Sequence, residues 1–398
     1  MYRGKRILLG VSGGIAAYKA VELLRLLIKA GAEVDVVMTS NAREFVGPLT
    51  FQTLSGNPVH SELFNLIQEQ EIGHIALADR VALCIVAPAT ANVIGKVANG
   101  LADDLLTTTL MATRAPVLFV PAMNVNMWEN PLYRENQARL EQHGYHFMTP
   151  AVGDLACGWQ GQGKLPEPAA IFDYAEDLVG SKELAGRTVL VTAGPTREEL
   201  DPVRYLSNYS SGKMGYAIAR AARNRGAQVV LISGPVELPA PQKVELVPVT
   251  SAREMHAAVM ARSDQADVII KAAAVADFRP AQRAGDKLKK GDVNQVRLEL
   301  VRNPDILAEL GNQRGPALLV GFAAETGDLL AHARKKLEEK GADLIVANDV
   351  TAPGAGFGGD TNLVWLLDRN GGVEELPCLP KEEVAARLLD RIQGLLCR

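Results

Sequence analysis

Two short runs in this chain carry residue types that hold phosphate. Ser12-Gly13-Gly14 follows the apolar run Ile7 to Val11, and Ser210-Ser211-Gly212-Lys213-Met214-Gly215 opens a stretch with Met214, Ile218 and Ala222 at helical spacing. A helix start offers unbonded N–H groups and the positive end of its dipole. Hydroxyls at the cap add donors, glycines admit a ligand to the backbone, and Lys213 adds a mobile cation. Both runs therefore predict anion sites. Other residues could move protons or hold a carboxylate or metal. They are His74, whose ring titrates near neutrality, Asn124 after the apolar run Val117 to Val120, and Cys157 beside Trp159 in a run holding four glycines from Gly153 to Gly163. Asp277, beyond the apolar Asp267 to Ala272, is a natural ligand for Mg2+ on a triphosphate. Each also has a plain structural reading, because a lone histidine, a turn-forming asparagine or a small buried cysteine is common. His60, His143, His146, His256 and His332 have no setting that marks them.

Parallel strands alternating with helices would position these groups. Ile7 to Val11, Val81 to Ala87 and Val117 to Val120 are short apolar runs with turn residues behind them, as buried parallel strands are. After the first strand a helix carries Ala17, Val21, Leu24 and Ile28 on one face, and Gly31-Ala32-Glu33-Val34 then leads into a strand ending in Met38-Thr39-Ser40. The second half repeats this grammar: strand Thr188 to Thr192, a helix after Ser210, a strand ending at Ser233, then Asp267 to Ala272, Ala317 to Thr326 and Asp343 to Asp349. Asn303 or Asp305 marks a further helix start. The predicted fold is α/β, two doubly wound, Rossmann-like or flavodoxin-like three-layer domains in tandem, 1–186 and 187–398. Ligands in such sheets bind at the carboxyl ends of the strands, which would gather Ser12 to Gly14, Thr39-Ser40, Thr90 to Asn92 and Asn124 along one crevice. The segment 153–168 reads as a mobile substrate lid or as an interdomain linker, its Trp and Cys favouring the lid. Lys287 lies in a polar run, 281–293, that is either a solvated loop or a cationic lid. Lys336 and Lys340, four apart on a helix, either converge on one anion or are solvated. The glycine-rich stretch Gly354 to Gly359 reads as another flexible closure.

Composition fits two cores. The chain has 398 residues, 47% of them hydrophobic, and its 42 basic against 46 acidic residues give a net charge of −4. No basic excess points to nucleic acid or an anionic membrane surface, so anion binding must be local. The early basic residues Arg3, Lys5 and Arg6 are followed by a helix with Lys19, Glu22 and Arg25 on a polar face, which argues against a signal peptide. Cys84, Cys157, Cys378 and Cys397 lack metal-ligand spacing and suit a reducing cytoplasm.

Gly10 to Lys19, Gly73-His74-Ile75, Pro88 to Leu106, Pro121 to Trp128 and Ala156-Cys157-Gly158 together resemble the flavin-containing cysteine decarboxylases. With its second half, the whole chain resembles the family of bacterial bifunctional phosphopantothenoylcysteine decarboxylases and phosphopantothenate-cysteine ligases of coenzyme A biosynthesis. Thr90 and Val93 stand where that family commonly has Ser and Thr, and Lys164-Leu165 where it has Arg-Met. The resemblance implies FMN held by Ser12, Gly13, Gly14, Ser40, Thr90 and Asn92. A cysteine carboxylate leaves as carbon dioxide only if its electrons have somewhere to go. Oxidation of the CH2–SH to a thioaldehyde, with flavin as hydride acceptor, puts C=S beside the carbanion. His74 would act as base on the thiol, Asn124 would hold the carboxylate, and Cys157 would return the proton. For the second half the resemblance implies CTP at Ser211, Gly212, Ala273, Asp277, Lys287, Pro304, Asp305, Ile306, Leu307, Phe322, Lys336 and Lys340. It places Mg2+ on Asp277 and the acyl-cytidylate on Asn208. Phosphopantothenate would attack the α-phosphate of CTP, pyrophosphate would leave, and the amine of L-cysteine would displace CMP. The implied assembly is a large homo-oligomer of trimeric decarboxylase and dimeric ligase units, such as a dodecamer.

Two other classes share parts of this pattern. An NAD-linked dehydrogenase would need G-x-G-x-x-G and an acidic residue at the ribose distance, and neither half has them. A non-catalytic regulator of flavoprotein fold could dispense with His74 and Cys157, and both are present.

Overall fold

The computed structural model describes residues 2–63, 73–154, 158–288, 297–313, 315–325, 329–349 and 358–397. Packing divides the chain into two compact units, Met1–Gly180 and Ser181–Arg398.

The first unit runs β1 (Arg6–Val11), α1 (Ala17–Lys29), β2 (Glu33–Met38), α2 (Pro48–Ser55), β3 (Val59–His60), α3 (Gly73–Arg80), β4 (Leu83–Ala89), α4 (Ala91–Ala98), α5 (Leu105–Ala112) and β5 (Val117–Pro121). It continues with α6 (Val125–Glu129), α7 (Pro131–Gln142), β6 (His146–Phe147), β7 (Ala151–Asp154), β8 (Gln160–Lys164) and α8 (Pro168–Val179). Among the described residues its main sheet has the order β3-β2-β1-β4-β5-β6, with every neighbour parallel. Such a sheet must be covered on both faces, which is why its strands are apolar throughout rather than alternating. Ile7, Leu9 and Val11 pack with Leu23, Leu24 and Leu27 of α1 and Ile171 of α8. Leu8, Cys84 and Val86 face the other way, onto Val93, Leu106 and Tyr133 of α4, α5 and α7. The strand order reverses between β1 and β4, and it is at such a reversal, at the carboxyl ends, that doubly wound sheets bind ligands.

The second unit runs β9 (Thr188–Ala193), β10 (Arg197–Glu199), β11 (Tyr205–Ser207), α9 (Lys213–Asn224), β12 (Gln228–Ser233), β13 (Glu245–Pro248), α10 (Ala252–Met260), β14 (Val268–Lys271), β15 (Phe278–Pro280) and β16 (Leu300–Arg302). It ends with α11 (Ile306–Gln313), β17 (Leu318–Glu325), α12 (Leu329–Glu339), β18 (Leu344–Asp349), β19 (Thr361–Asp368), β20 (Val373–Pro380) and α13 (Lys381–Leu396). Its sheet order is β13-β12-β9-β14-β17-β18-β19-β20. The strands are parallel as far as β18, and β19 and β20 extend the sheet antiparallel. Helices α9 and α13 cover one face, α10, α11 and α12 the other. Both units are thus three-layered and doubly wound, as the sequence predicts.

Several local expectations are corrected. The residue before α9 is Gly212 at φ 76, and no side chain caps the helix. Ser210 Oγ instead accepts from Gly212 N–H at 3.3 Å, so the expected hydroxyl cap is a glycine turn. The run Gly153 to Pro168 is built on a hairpin of β7 and β8 rather than on an open loop. Strand β4 begins at Leu83 and continues through Pro88 to Ala89, past the expected end at Ala87. Two of the family departures are core residues: Val93 on the buried face of α4, where a hydroxyl would cost desolvation, and Leu165 after β8, where one apolar side chain stands for another.

Candidate active sites

In the first unit the crevice is assembled by hydrogen bonds between segments distant in sequence. Ser12 is fully buried, donates to Pro88 O at 2.8 Å and accepts from Thr90 N–H at 3.0 Å. The serine hydroxyl therefore ties the end of β1 to the end of β4 and sets the mouth of the site. A Cβ on Gly13 would lie 2.4 Å from Asn41 Cβ, so the loop after β1 fits only as glycine against the turn after β2. Thr39, at the end of β2, bonds Val11 O through its N–H at 3.0 Å, while its buried Oγ1 has no partner among the described residues. An unspent hydroxyl beside a glycine loop at a carboxyl edge suits a phosphate oxygen. The sequence places Thr39 on this crevice beside Ser40 but, of the two, assigns the flavin contact to Ser40 alone. Ser40 is exposed, Thr90 half-buried ahead of α4, and Asn92 exposed on the first turn of α4.

Asn124 caps α6, its Oδ1 accepting from Asn126 N–H at 2.9 Å, so its plain role as a turn former is filled whatever else it does. The hairpin is pinned beside it. Met123 N–H donates to Gly163 O at 3.0 Å, and Trp128 Nε1 donates to Gln162 Oε1 at 3.0 Å. Gln162 Nε2 in turn reaches Pro150 O at 3.3 Å. The arm carrying the Ala156-Cys157-Gly158 motif is thus anchored on the Asn124 turn, although Cys157 itself lies outside the described residues. His74 is half-buried on the first turn of α3. The β3-α3-β4 topology puts that turn at the carboxyl side of the sheet.

In the second unit the ends of β9 and β14 are zipped together. Ala273 N–H donates to Thr192 Oγ1 at 3.2 Å, Ala276 N–H to Thr196 Oγ1 at 3.0 Å, and Pro195 bridges Ala274. Asn208 Nδ2 lies 3.2 Å from both Ala274 O and Val275 O, which brings the turn before Ser211 to the loop that ends in Asp277. Asp277 is exposed. Among the described residues no group of three His, Cys, Asp or Glu side chains could hold a metal alone, so a cation here would need phosphate oxygens as well. Lys213 Nζ is engaged by Asp360 Oδ1 at 2.7 Å and Gly358 O at 3.0 Å. Most of the expected closure Gly354 to Gly359 lies outside the described residues.

Asp305 resolves the choice of helix start, its Oδ1 accepting from Ala308 N–H at 3.0 Å. Asn303 Nδ2 turns back to Ala276 O at 2.8 Å. Lys340 Nζ pairs with Asp305 Oδ2 at 2.7 Å, and Lys336 Nζ donates to Phe322 O at 2.9 Å. Ile306 and Leu307 are 3% and 8% exposed, so any ligand contact from them is through backbone N–H groups of α11. Lys287 is exposed, and its neighbour is held from below. Leu288 N–H donates to Asp201 Oδ2 at 3.0 Å, and Arg204 reaches both Asp201 and Leu288 O. Burial alone would raise the Asp201 carboxyl, but Arg204 and three backbone N–H groups hold it far below the usual carboxylate range. Asp201 and Arg204 hold the backbone beside Lys287, a contact that the sequence reading missed. A D-x-x-R spacing before a strand was the signal available.

Two family models match the chain. One described as Flavoprotein covers residues 1–180, and one described as DNA/pantothenate metabolism flavoprotein C-terminal domain covers residues 184–396. The fold and its crevices are therefore those of a flavoprotein unit joined to a pantothenate-metabolism unit. The coenzyme A biosynthesis bifunctional protein CoaBC of Bacillus subtilis (strain 168) is 51% identical to this chain, over 99% of it and 98% of the relative. That of Escherichia coli (strain K12) is 46% identical, over 98% and 97%. A solved structure, the C-terminal domain of a coenzyme A biosynthesis bifunctional protein CoaBC, is 46% identical and covers 54% of this chain and 98% of its own, with a TM-score of 0.48. The chain belongs to the family of coenzyme A biosynthesis bifunctional proteins. It is an enzyme with two activities, a phosphopantothenoylcysteine decarboxylase and a phosphopantothenate-cysteine ligase.

Proposed function

We propose that the crevice of the second unit makes phosphopantothenoylcysteine from 4'-phosphopantothenate, L-cysteine and CTP, and that the crevice of the first unit decarboxylates it to 4'-phosphopantetheine with FMN. The observation that carries this reading is that each unit has its own glycine turn at the carboxyl edge of its own sheet, a setting that suits an anion. In the ligase, Ser211, Gly212 and the first turn of α9 hold phosphate, and Asp277 would hold Mg2+, which would supply charge neutralisation for the triphosphate. Ala273, Pro304, Asp305, Ile306, Leu307, Phe322, Lys336 and Lys340 enclose the rest of the nucleotide. Lys287 balances charge on the α-phosphate as the carboxylate oxygen displaces pyrophosphate. Asn208 holds the acyl-cytidylate while cysteine's amine displaces CMP.

In the decarboxylase, Ser12, Gly13, Gly14, Thr39, Ser40, Thr90 and Asn92 hold the FMN phosphate, a fit supported by the unspent Thr39 hydroxyl. FMN supplies a hydride acceptor and donor. His74 takes the thiol proton, Asn124 holds the departing carboxylate, and Cys157 gives a proton to the carbon that carbon dioxide leaves. A homo-oligomer with trimeric decarboxylase and dimeric ligase units, working in the cytoplasm, completes the proposal. Purified protein should be yellow; CTP with phosphopantothenate should release pyrophosphate for a single turnover, and sustained release should need cysteine as well. A colourless protein, or sustained pyrophosphate release independent of cysteine and phosphopantothenate, would count against it.

A further inference from the structure

The centre of the second sheet hides a cation with no part in the scheme above. Along β14, Val268 and Ile270 pack on the α9 and α13 side, while Ile269 packs among α10, α11 and α12. Strand alternation sends the next side chain, Lys271, to the α11 and α12 side. Lys271 ends the strand, in register with Thr192 of β9 and Gly321 of β17. It is 7% exposed, and its Nζ is buried with no hydrogen-bond partner among the described residues. Asp305 attracts it without bonding to it, and the two Asp305 oxygens accept from Ala308 N–H and Lys340 Nζ.

A buried amine without a partner is costly whether charged or neutral. Burial draws the Lys271 pKa down to about 7, against the attraction of Asp305. Simple filling of the core would be done better by Met or Leu, with the same volume and no polar head. Among the described residues, Asp305 ahead of α11 and Lys336 and Lys340 of the α12 region carry charge at this corner, and the first turn of α11 adds its own unbonded N–H groups. Lys271 Nζ thus stands without a bonded anion among the described residues, beside a helix start. We propose that Lys271 is a nucleotide-contacting residue of the ligase, its ammonium donating to an acceptor oxygen of the bound nucleotide where β14 ends against the first turn of α11. This rests on the reading of the second crevice as the nucleotide site and adds a residue to it. An anion at that corner favours the charged amine, so nucleotide binding above neutral pH draws a proton onto Lys271.

The test titrates CTP into the full-length protein calorimetrically at about pH 8, in Tris and in HEPES, whose ionisation enthalpies differ. Wild type should show a buffer-dependent heat equivalent to proton uptake. Lys271→Met should lose that difference and raise the KM for CTP about tenfold or more, the worth of a charge-assisted bond. Decarboxylation of supplied phosphopantothenoylcysteine should not change, and the melting temperature should hold or rise. Equal heats in both buffers for wild type, uptake persisting in Lys271→Met, or a wild-type KM in the variant would each overturn the assignment. Uptake with cytidine and CMP as well as CTP places the oxygen on the nucleoside; uptake with CTP alone places it on the phosphates. Failure of wild type to release pyrophosphate with CTP would sink the ligase reading itself, which is a different result.

Discussion

Lys287 and Asp201 show how a reactive side chain and its support divide the work. Lys287→Gln removes the cation proposed to balance charge in nucleotidyl transfer, a loss of several kcal/mol in a preorganised site. Ligation should fall by a factor of at least ~100, with decarboxylation intact because that chemistry lies in another core. Ligation within a few-fold of wild type would refute the role. Asp201 should act through Lys287's backbone. Its carboxyl is depressed in the folded protein, so its contribution is present above the unfolded value of about 4 and disappears as acid protonates it. Thermal midpoints of Asp201→Asn should therefore lie below wild type at neutral pH, and the gap should begin to narrow only below about pH 4 and keep narrowing as acid approaches the depressed folded value; a gap that does not narrow in acid would show that the carboxylate is not the source. The sequence named Lys287 because charge in a polar run is visible, and it missed Asp201 because what matters there is 1% exposure combined with a contact to Leu288 across the fold. Lys271 was hidden in the same way, as a polar letter inside an apolar run.

At the scale of elements, the strands of the sheets were legible because both faces of a parallel sheet are buried and the letters show it. The hairpin of β7 and β8 was not, since Gln-Gly-Gln-Gly has neither apolar alternation nor β-branching. Its glycines are explained by what they touch. Gly163 approaches the Asn124 turn so closely that a Cβ would sit 2.2 Å from Met123 O. Gly163→Ala should therefore push the hairpin off that turn, break the Met123 to Gly163 bond and misplace the arm that carries Cys157. Decarboxylation should drop at least tenfold, as small misplacements in a site do, with CTP-dependent pyrophosphate release unaffected. Near-normal decarboxylation in that variant would mean the arm does not need this anchor. The glycine turn at Gly212 was misread for a related reason, because Ser210-Ser211 looks like a cap while Val236, 2.8 Å from where a Gly212 Cβ would be, comes from a distant loop.

For the whole molecule, two repeats of one design were readable from composition and pattern, whereas the point of division depends on packing. Residues 181–186 look like connection, yet Leu184 is 1% exposed in the core of the second unit, and its N–H donates to Arg225 O at 2.8 Å. Glu183 lies 3.6 Å from the buried Arg225 guanidinium, which Asp390 also holds at 2.5 Å. Beginning the ligase half at Arg187 would remove a fully buried leucine, leave a cavity and strip one carboxylate from a buried arginine. Loss of such a leucine side chain costs about 2–5 kcal/mol, and in a unit of this size each kcal/mol shifts the melting temperature by roughly 2–4 °C. A fragment of residues 181–398 should therefore melt some 5–15 °C above one of residues 187–398, and Leu184→Ala in the longer fragment should account for most of the gap. CTP-dependent ligation at low temperature should be the same in both, since Leu184 packs at the α9 and α13 face rather than at the carboxyl edge. Fragments that melt together would place the boundary at Arg187 and make Leu184 a passenger of the linker.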